Sequence, residues 1–145
     1  MSTQAMYENY KTATVNTTDQ GKLILICYDV AIKNCQQARE MIEGNQLQDK
    51  AKRLYKAQDA ITELMVSLNM DKGGVFAKRL FALYDYFNWR LSEANIQQSI
   101  PMIEEVLRHL KSLRDAWVMA IEKVRREKAS ILATPEKAGN LRLVV

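Results

Sequence analysis

The sequence predicts an all-α protein, an antiparallel up-down four-helix bundle with a short N-terminal helical segment packed on it. Three observations carry that reading. The 145 residues are 48% hydrophobic, yet only five are glycine and two are proline, Pro101 and Pro135. A chain rich in Ala, Leu, Lys, Glu and Gln and so poor in helix breakers favours helix throughout. Apolar residues also recur at helical spacing in four long stretches, and the stretches are joined by short polar punctuation.

The first helix opens after Asn16-Thr17-Thr18-Asp19, where Asp19 is the best placed N-cap, and ends near Glu43 with Gly44 supplying a left-handed turn. Its stripe is Ile24, Tyr28, Ala31, Cys35, Ala38 and Ile42. The second runs from about Gln48 to Asn69, with Leu47, Ala51, Leu54, Ile61, Met65 and Leu68 in its stripe. Asp71-Lys72-Gly73-Gly74 breaks the chain there. The third runs from about Val75 to Asn95 and presents Phe76, Leu80, Leu83, Phe87 and Ala94. Ser99 and Pro101 open the fourth, since proline is tolerated in a first turn. It reaches about Ala129 and carries Ile103, Leu107, Leu110, Trp117, Ile121 and Val124. Four comparable helices with short connections pack best as a bundle. The division is therefore residues 1–18 as an N-terminal segment, 19–129 as the bundle and 130–145 as a tail. The first of these could make a short helix carrying Met6, Tyr7 and Tyr10, too short to be stable unless it docks.

Several function classes fall away. The longest unbroken apolar run, Leu23 to Tyr28, is far short of the roughly 20 residues of a spanning helix. The first ten residues have no basic cluster followed by an apolar run, so the chain reads as cytoplasmic, without membrane insertion. Cys27 and Cys35 lie eight residues apart on one helix, about 12 Å, which exceeds disulfide reach. The net charge of +4 is concentrated near the end, at Lys123, Arg125, Arg126, Lys128, Lys137 and Arg142; elsewhere acids and bases alternate as on a solvated face. No nucleic-acid partner is expected. His109, the one histidine, is four residues from Glu105 rather than the three of a di-iron motif. Gly73-Gly74 lacks the following residues of a phosphate loop. No base accompanies a serine or cysteine nucleophile. Hence neither catalytic residues, a metal nor a cofactor is expected, and the protein is not read as an enzyme.

What remains is apolar surplus. At about 100° per residue, Leu25 and Ile32 lie roughly 90° to one side of the first stripe, and Leu23 and Val30 on the other shoulder. Phe81 lies off the third stripe and Trp89 opposite it. Such helices are buried on several sides or bind something; together they suggest a groove for an apolar helical peptide. Gln58, Arg90 and Arg114 are polar residues in or beside the stripes, and buried polar groups need partners.

Four motifs, in order, resemble the FliS family of flagellar secretion chaperones. They are Leu23-Ile24-Leu25-Ile26-Cys27-Tyr28-Asp29-Val30-Ala31-Ile32; Lys56-Ala57-Gln58-Asp59-Ala60-Ile61-Thr62-Glu63-Leu64, with Ser67-Leu68-Asn69 and Gly73-Gly74; Ala82-Leu83-Tyr84-Asp85-Tyr86, continuing to Arg90-Leu91 and Glu93-Ala94-Asn95; and Leu113-Arg114-Asp115-Ala116-Trp117. The resemblance covers about Tyr10 to Ile121. It departs at Asp19-Gln20, where the family usually has Ser-Pro, at Val30 in place of a common glycine, and at Trp89 in place of a polar or basic residue.

The resemblance implies a chaperone that binds the C-terminal segment of flagellin, prevents premature polymerisation and delivers it to a component of the flagellar export gate. It also implies that the N-terminal segment can cover part of the groove, a role falling here to Met6, Tyr7 and Tyr10. The alternative is a helical adaptor for another flagellar or regulatory protein. The candidate partner-binding residues are Tyr7, Tyr10, Leu23, Leu25, Tyr28, Ile32, Phe81 and Tyr84. The face around Leu23, Leu25 and Tyr28 is the principal patch and Phe81 with Tyr84 the second; for Tyr28 and Tyr84 a core role is the alternative.

Overall fold

The computed structural model describes residues 17–130. They form four helices and, among the described residues, no strand: α1 (Thr17–Glu43), α2 (Leu47–Ser67), α3 (Met70–Gln97) and α4 (Ile100–Ser130). Each helix packs extensively on the next, and α1 closes the ring against α4. The helices thus stand at the corners of a square, with α1 diagonal to α3 and α2 diagonal to α4. The bundle forms because every helix has one continuous apolar stripe and the connections are short enough to force antiparallel neighbours. The N-terminal segment with Tyr7 and Tyr10, and most of the tail, lie outside the described residues.

The helix ends depart from expectation in instructive ways. Within the described residues α1 runs from Thr17, which places Asp19 inside the helix. At the other end it is Asn45, not Gly44, that takes the left-handed conformation, with φ 56°. The Asn45 N–H donates to the Ile42 carbonyl at 3.1 Å and the Gln46 N–H to the Met41 carbonyl at 2.8 Å. This double bond pattern ends a helix through one left-handed residue, and asparagine is the tolerated substitute for glycine there. Gln98 closes α3 the same way, at φ 51°. The second break comes earlier than Asp71: Leu68 is extended, and the Asn69 side chain caps α3 by accepting from the Lys72 N–H at 3.0 Å. One helical turn follows before Gly74, at φ 54° and ψ −135°, kinks the helix. Only glycine adopts that conformation without strain.

The core draws on all four stripes. Tyr28, Tyr84, Phe87, Leu54, Ile61 and Leu64 are its largest fully buried side chains. In α2 the buried stripe is shifted from the expected one towards Ala57, Ala60 and Leu64; Ala51 and Met65 are only half-buried. Small residues at the contact let neighbouring backbones approach, and Ala57 and Ala60 are both fully enclosed. In α3, Phe76 is exposed because it sits beside the kink at the helix end, while Tyr84 and Leu91 take core positions. Gly21 brings α1 close to α4, since a Cβ there would stand 3.2 Å from the Ile121 side chain.

Several polar residues next to the core are matched across helices, while Gln37 Oε1 and Asn88 Oδ1 are buried without a hydrogen-bond partner among the described residues. The Gln58 amide donates to the Asn88 carbonyl at 2.9 Å and to the Ser92 hydroxyl at 2.8 Å, tying α2 to α3. Arg90 meets Glu105 at 2.6 Å across α3 and α4, and Arg114 meets Asp29 at 2.5 Å across α4 and α1. All three are half-buried rather than enclosed, being long enough to keep one side in water. The buried Lys50 ammonium donates at 3.0 Å to the Asn95 carbonyl in the last turn of α3, where the helix dipole favours a cation.

Candidate partner-binding surface

The sequence-derived candidates divide into three groups. Tyr28 and Tyr84 belong to the core, fully buried, so neither forms the surface of a patch. The sequence pattern put Leu83 rather than Tyr84 in the core stripe; the structure corrects this, burying Tyr84 and leaving Leu83 half-buried. Leu23 is also buried, at the edge of the same cluster. Leu25, Ile32 and Phe81 remain on the surface. Leu25 and Ile32 are half-buried against the core, and Phe81 is exposed. Tyr7 and Tyr10 lie outside the described residues.

The surface candidates occupy two sides of the bundle. Asp29 falls between Leu25 and Ile32 at helical spacing, and its bridge to Arg114 marks that flank as the seam of α1 with α4. Phe81 stands two turns before Asn88 on α3. The Asn88 amide reaches the Thr62 hydroxyl of α2 at 3.2 Å, so Phe81 lies on the seam of α3 with α2. In a square bundle these seams are opposite each other. The structure therefore separates the two patches.

Beneath the surface, Tyr28 of α1 and Tyr84 of α3 meet across the core. Their hydroxyls are 2.5 Å apart and their rings make an edge-on contact at 6.3 Å. Burial raises both phenols above their ordinary value. The two diagonal helices thus share one buried pair of hydroxyls that partner each other. Burial likewise pushes the Cys35 thiol up to about 12, so it behaves as a small apolar group rather than a nucleophile. His109 lies over Phe87, the rings stacked at 5.9 Å.

On the α3–α4 seam Glu105 accepts from Arg90 and from the Tyr86 hydroxyl, the latter at 3.0 Å. The bond from Arg90 holds the Glu105 carboxyl below its usual range, while Glu105 holds the Tyr86 phenol above its own. An open groove of about 450 Å³ lies along α1 and α2, lined by Met41, Asp49, Lys52, Arg53, Tyr55 and Lys56. Among the described residues no group of three or more metal-binding side chains gathers, and no helix is long and apolar enough to cross a membrane.

Fold and surface define an all-α helical bundle with a sealed core, whose surplus apolar side chains lie along its outer flanks. The family model described as "Flagellar protein FliS" matches residues 3–124. The chain is 34% identical to the flagellar secretion chaperone FliS of Bacillus subtilis over 88% of its own length and 95% of that protein. It is 33% identical to FliS of Salmonella typhimurium over 72% of its length and 78% of that protein, and 29% identical to FliS of Escherichia coli over 79% and 85%. The chain belongs to the FliS family of flagellar secretion chaperones.

In the sequence Trp89 stands opposite the core stripe and counts towards the apolar surplus that suggests a groove, without being among the candidate contact residues. In the structure it is exposed beside Tyr86, ring centroids 5.9 Å apart, on the outer face of α3. The signal that finds this face is a second apolar period on the same helix.

Proposed function

We propose that this protein binds the C-terminal segment of flagellin in the cytosol, prevents its premature polymerisation and delivers it to the flagellar export apparatus, acting by binding and not by catalysis. The carrying observation is the flank of α1, where Leu25 and Ile32 extend the core's apolar surface outward beside the Asp29–Arg114 bridge. Membership of a flagellar secretion chaperone family supports the choice of partner. Leu25 and Ile32 form the principal contact, backed by Leu23 and Tyr28 beneath them. Phe81, backed by Tyr84, forms the second contact on the opposite side. A segment disordered when free can wrap a bundle and reach both, whereas a folded partner would meet one. Tyr7 and Tyr10 belong to the same reading as residues that cover the groove until flagellin arrives.

The test is titration of the full chain with a flagellin C-terminal peptide, followed by calorimetry and circular dichroism. Binding should be saturable, add helix beyond the sum of the free components and show a negative heat-capacity change from apolar burial. A peptide that gives no heat and no added helix overturns the reading.

A further inference from the structure

The outer face of α3 carries a second apolar seam that the core does not use. Val75, Ala82, Trp89 and Ile96 follow one another at intervals of seven residues, with Arg79, Tyr86 and Glu93 between them at alternating steps of four and three. This is the spacing with which one helix meets another along its length. Val75 is 64% exposed, Trp89 55% and Ile96 75%, and Ala82 is also exposed. By contrast Ala77, Tyr84 and Leu91, on the far side of the same helix, are buried. The seam spans about 32 Å at 1.5 Å per residue. Tyr86 is held in place by Glu105, and Trp89 rests beside Tyr86.

The seam is complementary to itself. Reversing a second copy of α3 about the Asp85–Tyr86 peptide brings Val75 level with the other copy's Ile96 and Ala82 level with its Trp89. The largest side chain of the seam then meets the smallest, twice. The same reversal sets Arg79 within one residue, about 1.5 Å, of the other copy's Glu93, again twice, which long side chains span. A parallel pairing would instead stack Trp89 on Trp89, Arg79 on Arg79 and Glu93 on Glu93. Charge and size therefore select one orientation, and a two-fold contact of this kind is isologous.

We propose that a second copy of this chain docks antiparallel on the outer face of α3, forming a homodimer with Trp89 in the partner's Ala82 notch and Arg79 paired to the partner's Glu93. This contact uses neither the Leu25–Ile32 flank nor Phe81, so it stands or falls apart from the flagellin reading.

Sedimentation equilibrium of the full chain without flagellin tests it. A concentration-dependent monomer–dimer equilibrium is expected. Arg79→Glu should weaken the dimer by about tenfold or more through like-charge contact, Glu93→Arg should do the same, and the two together should restore it. Trp89→Lys should give a monomer with unchanged helix content and melting temperature, since Trp89 is outside the core; if that variant misfolds, the charge-reversal series decides. A chain that stays monomeric at all concentrations overturns the proposal. So does a dimer indifferent to Arg79, Glu93 and Trp89. Loss of flagellin binding by Trp89→Lys in a chain that is monomeric throughout also overturns it and gives the face to flagellin instead.

Discussion

The Tyr28 and Tyr84 hydroxyls, 2.5 Å apart, link the diagonal helices α1 and α3 through the middle of an otherwise apolar core. Removing one hydroxyl leaves the other buried with one partner fewer. Tyr28→Phe or Tyr84→Phe alone should therefore destabilise the bundle by about 1–3 kcal/mol, whereas the double substitution should cost clearly less than the sum. Denaturant unfolding of the four variants in a double-mutant cycle reads the coupling. Strictly additive losses would show that the two hydroxyls do not depend on each other.

Gln58 offers a second, milder test of the core's polar edge. It joins α2 to both a carbonyl and a hydroxyl of α3, but from a half-buried position. Gln58→Leu should change stability by on the order of 1 kcal/mol and leave flagellin binding intact. A loss several times larger would mean that this link fixes the register of the two helices.

The Arg90–Glu105–Tyr86 cluster makes stability depend on pH in a definite direction. Glu105 has its carboxyl lowered below 4.5 by the bond from Arg90. A group whose folded value is depressed contributes stability above its unfolded value and loses that contribution as pH falls through the folded one. The contribution is thus complete at neutral pH and fades below the ordinary carboxylate range. Melting temperatures of the wild type and Glu105→Gln should differ at neutral pH and converge in acid. A gap that stays constant down to acid pH would remove Glu105 from the linkage.

The four helices were legible because their stripes are long and periodic, and because turn-favouring residues stand at or near each break. The ends were less so. Asn45 and Gly44 are adjacent and both tolerate positive φ, so local sequence does not say which one turns. The rotation of α2 towards Ala57 and Ala60 was hidden for another reason. Alanine scores as weakly apolar, yet here it is what lets two helices approach. At the candidate site, Leu25, Ile32 and Phe81 were found by their angular distance from the stripes. Tyr28 lay in its stripe and Tyr84 beside its own, yet the stripes alone did not settle a core role for either, because a tyrosine is buried only if its hydroxyl finds a partner. That partner was another tyrosine 56 residues away.

Leu25 separates a binding role from a structural one. It sits on the flank of α1, half-buried, with its neighbour Ile24 taking the core position. In the free protein, Leu25→Asp places a carboxylate where water still reaches, so the fold should survive and the melting temperature should fall only slightly. On binding, flagellin would seal that carboxylate without a cation, since Arg114 is already held by Asp29 at 2.5 Å. Burying an unpaired charge costs several kcal/mol. Affinity for the flagellin C-terminal peptide should then fall by about two orders of magnitude or more, at roughly 1.4 kcal/mol per factor of ten. Ile32→Asp, one side of the Asp29 bridge away, should behave alike. Calorimetric titration and thermal melting of the same samples decide between the roles. A sharp fall in melting temperature would make Leu25 a core residue, and unchanged affinity with unchanged stability would remove this flank from the binding surface.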